Sequence, residues 1–67
     1  MIKLGAYKHY KGGVYIVLCT AKHSDTGEPM VVYMNEDHGT YYVRSLADFT
    51  SNVTQGTESY PRFLALE

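Results

Sequence analysis

Between Val14 and Lys22 the chain reads Val-Tyr-Ile-Val-Leu-Cys-Thr-Ala-Lys, apolar at consecutive positions instead of alternate ones. β-Branched and aromatic residues over a run too short for a helix predict a strand. Because both of its faces are apolar, the strand should curl through a barrel or take a partner on its outer side. Ahead of it, Gly5 to Lys11 reads as a short aromatic strand, and Gly12-Gly13 supplies the positive φ of a tight turn. Behind it, His23 to Pro29 concentrates turn formers, Met30 to Asn35 returns, Asn35 to Gly39 turns again and Thr40 to Ser45 runs back, which makes a three-stranded meander. Leu46 and Phe49, three apart after Ser45, predict one helical or 3₁₀ turn with Ser45 as N-cap. Thr50 to Ser59 is a polar loop or loose hairpin around Val53, and Tyr60 to Leu66 is the last strand, held to an edge by Pro61.

These elements predict a mainly β architecture over residues 1–67 as a single domain: a five-stranded, SH3-like, partly open barrel with one short helical or 3₁₀ turn before the last strand. A sandwich needs roughly seven strands and 100 residues. An OB-fold, the nearest competitor, carries a real helix between its third and fourth strands.

Composition narrows the function classes. A 67-residue chain with one cysteine has no intrachain disulfide, and Cys19 within an apolar run is expected to be a buried core thiol in a reducing cytoplasm. The formal charge of −1 gives no long-range attraction to nucleic acid or anionic membrane. No segment approaches the roughly 20 apolar residues of a membrane span, and Met1 to Gly5 lacks the apolar stretch of a signal peptide. Leu66-Glu67 has the character of a cloning junction, and Glu67 carries no functional weight.

His9-Tyr10-Lys11-Gly12-Gly13, Tyr15, Ala21, His23-Ser24 with Thr26 and Glu28-Pro29, Val31-Val32-Tyr33, Tyr42-Val43-Arg44 and Pro61-Arg62-Phe63 occur in an order that resembles domain-of-unknown-function family 1653, a small bacterial family. The resemblance runs from about Gly5 to Phe63 and implies a small SH3-like β domain with no accepted activity, substrate or cofactor. Three positions depart from the family pattern: Met34 where an arginine is usual, Tyr42 where a tryptophan is usual, and Ser45 where a proline is usual. If these line a binding surface, its preference has drifted in this chain.

Catalytic motifs are weak. His23, Ser24 and Asp25 are consecutive, so in an extended segment they alternate in direction and form no hydrogen-bonded triad. A Cys19–His9 dyad needs an exposed thiol in an electropositive niche, whereas the expected Cys19 is buried. The histidines, spaced by 14 and 15 residues, match no zinc signature, and Gly12-Gly13 precedes no Gly-Lys-Ser/Thr. No enzyme, metal or cofactor is implied.

Seven tyrosines exceed what a five-stranded interior holds, so several should lie at the surface, where tyrosine favours interfaces. The candidate binding residues are His9, Tyr15, His23, Ser24, Glu28, Tyr33, Tyr42, Arg44 and Arg62. A protein or peptide is the expected ligand; a small molecule or a single-stranded nucleic acid stacked on the rings is the alternative. The apolar strand from Val14 to Cys19 and the small core also favour a homodimer.

Overall fold

The computed structural model describes residues 2–66, so Met1 and Glu67, on which part of the reading of the termini rested, lie outside the described residues. Strand β1 (Gly5–His9) turns through Gly12 and Gly13, at φ of 100° and 85°, into β2 (Val14–Lys22). Both glycines are needed because side chains rarely tolerate those angles. The meander continues with β3 (Pro29–Asn35) and β4 (Tyr41–Ser45), followed by the single turn α1 (Leu46–Phe49). Ser45 caps that turn as expected, its hydroxyl accepting from the Asp48 N–H at 3.1 Å.

Beyond α1 the structure departs from the expected strand count, with seven strands among the described residues instead of five. Of the loop and the loose hairpin that Thr50 to Ser59 allows, the hairpin forms: Gly56, at φ 62°, closes β5 (Asn52–Gln55) onto β6 (Glu58–Pro61). The expected last strand breaks at Arg62, whose N–H donates to Ser51 O at 3.0 Å while its carbonyl accepts from Tyr10 N–H at 3.1 Å. The chain then resumes as β7 (Phe63–Ala65). The helical turn therefore precedes three strands, not one.

Strand order is β4-β3-β2-β1-β7 in a five-stranded sheet, with β5-β6 as a separate pair. Among the described residues no ladder joins β4 to β7, so the sheet is not closed. One face carries the core: Tyr7, Val17, Val31, Tyr33 and Phe63 pack with Phe49 of α1, which is 1% exposed. A β-bulge sets Val17 opposite Tyr33 but Cys19 opposite Val32. The extra residue turns both Leu18 and Cys19 away from the core, which corrects the expectation that Cys19 is buried: its thiol is exposed.

Candidate functional site

The core face of the sheet is paved with rings because the register aligns them. Tyr42 of β4 pairs with Tyr33 of β3, Tyr15 of β2 pairs with Tyr7 of β1, and His9 of β1 pairs with Phe63 of β7. Alternation along each strand puts these side chains on one side. Tyr33 and Tyr42 stack at 5.6 Å between centroids, and Tyr15 meets Tyr33, Tyr42, Phe63 and His9 edge-on at 5.7 to 6.1 Å. Beneath them Phe63 lies flat on Phe49 at 4.1 Å. Such pairs add about 0.5–1.5 kcal/mol beyond burial, so the floor of this surface is fixed. Its centre opens into a cleft of about 140 Å³ lined by His9, Tyr15, Tyr33, Tyr42, Arg44 and Phe63.

Arg44 enters from β4, with its Nε donating to the Tyr33 hydroxyl at 3.3 Å and its Nη1 donating to Asp48 Oδ2. Asp48 is one helical turn on from Arg44, and its second oxygen is 3.9 Å from Arg62 Nε. Arg62 in turn donates from Nε to Ser51 Oγ at 3.2 Å. The bond to Tyr33, more than the one to Asp48, raises the pKa of Arg44 against the opposing effect of burial, so the guanidinium stays charged. His9 is pushed the other way: burial lowers its pKa from the ordinary 6.5, and the charges of Arg44, Arg62 and Lys11 lower it further. Its Nδ1 accepts the Lys11 backbone N–H at 3.1 Å, so in the neutral ring the proton resides on Nε2.

Five expected site residues meet in this cleft: His9, Tyr15, Tyr33, Tyr42 and Arg44. Arg62 borders it through Asp48. His23, Ser24 and Glu28 do not join them. They form the exposed β2–β3 turn, where His23 N–H donates to Glu28 O at 2.8 Å, Asp25 N–H donates to His23 Nδ1 at 3.2 Å and Glu28 N–H donates to Thr26 Oγ1 at 3.2 Å. From Tyr15 to Lys22 the strand rises about 3.3 Å per residue, which places that turn some 20 Å from the cleft. Cys19 and His9 lie on opposite faces of the sheet, so no dyad forms between them. Among the described residues, no three His, Cys, Asp or Glu side chains gather where a metal ion would be held. None of the described helices is long and apolar enough to cross a membrane.

Two members of the site were not picked out from the sequence. Phe63 closes the cleft floor, and its only signal was its place in the Pro61-Arg62-Phe63 motif. Asp48 ties both arginines, and its i,i+4 spacing from Arg44 was the available clue. A shallower groove of about 290 Å³ lies on the other side of His9, between Lys8, Tyr10, Tyr60, Pro61 and Leu64.

Comparison with known proteins agrees with the geometry. The family model described as protein of unknown function (DUF1653) matches residues 5–65. A crystal structure of a DUF1653 protein from Bordetella bronchiseptica superposes with a TM-score of 0.87 at 31% identity, covering 97% of this chain and 87% of that one. No curated protein matches the chain. A family match over nearly every residue that builds the sheet and the cleft, joined to a shared fold at that identity, places the chain in the DUF1653 family.

Proposed function

We propose that this chain is a binding module that recognises a protein or peptide through the tyrosines and arginines around the cleft. The observation that carries the reading is the convergence of His9, Tyr15, Tyr33, Tyr42 and Arg44, from four strands, on one opening. At about 140 Å³ the cleft is less than half the roughly 300 Å³ at which pockets for whole small ligands begin, so it suits a single projecting side chain. β4, which carries Tyr42 and Arg44, pairs only with β3 among the described residues, so an extended peptide has an edge to follow beside the opening. The strand order, with β1 between β2 and the last strand, supports a partly open SH3-like barrel, a scaffold that often binds peptides on its surface.

Selection from a random peptide library, followed by mapping of amide shifts in nitrogen–proton NMR spectra, tests the module. Enriched peptides should shift residues of the cleft and bind at least about tenfold more weakly to Tyr42→Ala, a change at an exposed ring. Peptides that bind Tyr42→Ala as well as wild type, or no enrichment at all, would remove the reading.

A second copy of the chain is the partner we propose for the opposite face. There Tyr41, Met34, Ile16 and Ala6 are in register, as are Val43, Val32 and Cys19, with Leu18 added by the bulge. Tyr41 and Val43 are 67% and 62% exposed. Five strands about 4.8 Å apart and some 20 Å long give a footprint on the order of 500 Å² before side-chain relief, approaching the roughly 800 Å² per partner of a stable interface. Light scattering across a concentration series reads the outcome directly, and a constant monomer mass would exclude this partner.

A further inference from the structure

We infer that the group seated in the cleft is a carboxylate; the inference rests on the binding-module reading and specifies its ligand chemistry. Among the described residues, Arg44 and Arg62 share one counter-charge, Asp48, so two cations face a single carboxylate at this edge of the sheet. The surplus is felt inside, because Arg44, Arg62 and Lys11 all disfavour a proton on His9.

The polar atoms around the opening are mostly donors. Arg44 has five N–H groups and uses one on Tyr33 and one on Asp48, which leaves three for a ligand. Its side chain is 32% exposed, so those groups are reachable. Tyr33 accepts from Arg44 through its hydroxyl oxygen, leaving its own proton to donate. His9 spends Nδ1 on the Lys11 backbone and keeps an N–H at Nε2. A cleft with this inventory attracts an acceptor group and repels an ammonium, despite its aromatic walls.

Shape separates the anions. Tyr15, Tyr42 and Phe63 make flat walls, and the fork of a single guanidinium matches the two coplanar oxygens of a carboxylate. A tetrahedral phosphate would need donors on more sides than one arginine, one tyrosine hydroxyl and one neutral histidine supply. Aspartate or glutamate side chains, a peptide terminus and a free organic acid share this chemistry.

Titration of the protein with propionate, propionamide, propylammonium and inorganic phosphate at matched ionic strength, read by NMR shifts at His9, Tyr42 and Arg44 Nε, tests the inference. Propionate should bind at least about tenfold more tightly than the isosteric amide or the ammonium, and Arg44→Gln should abolish that preference. Asp48→Asn releases the internal competitor and should tighten propionate severalfold, a gain that no folding defect produces. Equal binding of amide and acid, tighter binding of phosphate, or no tightening in Asp48→Asn would overturn it. Peptides with acidic side chains and peptides differing only in a free or amidated terminus then separate the sources. Selected peptides that fill the cleft without a carboxylate would sink this inference and leave the module standing; propionate binding with no peptide selected would do the reverse.

Discussion

His9 reports the electrostatics of the cleft. Burial is the largest reason its pKa lies below 6.5, and Arg44 is the next, so Arg44→Gln should raise it part of the way back. The C–H resonances of the His9 ring, followed against pH in wild type and variant, measure that shift; identical midpoints would mean that Arg44 exerts no field there. The same depression has a consequence for stability. The unfolded chain takes up a proton near pH 6.5 while the folded chain still resists it, so the unfolded state binds more protons in that window. The contribution of His9 is complete above pH 6.5 and is lost as pH falls from there through its lowered folded value. Thermal midpoints measured from pH 7.5 to 5 should decline less steeply in His9→Gln than in wild type.

At the scale of elements, the one-turn helix matters out of proportion to its length, because it holds both Phe49 and Asp48. A four-residue helix has no stability of its own, so its cap and its packing sustain it. Ser45→Ala removes the acceptor for the Asp48 N–H and should cost about 1 kcal/mol, visible as a lower urea midpoint with an unchanged slope. This element was legible in the sequence because a serine followed by two apolar residues three apart has few other readings. The meander from Val14 to Ser45 was legible for a similar reason, its turns being marked by Gly12-Gly13, Gly27 and Gly39 between β-rich runs. The β5–β6 hairpin was legible only as one of two readings, loop or loose hairpin, since Asn52 to Ser59 carries one partly buried apolar residue, Val53, and is held mainly by backbone pairing. Arg44 was visible as a residue that packing alone explains poorly; Tyr33, singled out on the same ground, is 5% exposed and packs in the core, and His23, Ser24 and Glu28 answer to turn chemistry that local hydrogen bonds account for. The bulge at Leu18 left no mark in composition, because every residue from Val14 to Ala21 fits a strand in either register.

For the whole molecule, that bulge decides what the outer face offers. Without it Cys19 would point toward the rings; with it Leu18 and Cys19 join Val43, Val32, Met34 and Ile16 in a sheet face with little charge. The core behind the sheet has six buried hydrophobic side chains among the described residues, and domains of this size rarely reach more than about 5 kcal/mol unaided. A second copy on the outer face would add stability by mass action, so the thermal midpoint should rise with protein concentration. Val43→Glu places a charge in the middle of that face, at a position 62% exposed in the single chain. In a monomer such a surface change shifts stability by no more than about 0.5 kcal/mol. In a dimer it buries an unpaired carboxylate and should convert the protein to monomer, with a midpoint that is lower and no longer depends on concentration. Sedimentation velocity of wild type and Val43→Glu over a hundredfold concentration range discriminates the two cases. Because Val43 faces away from the cleft, the same variant should bind propionate as wild type does, which separates the two surfaces experimentally.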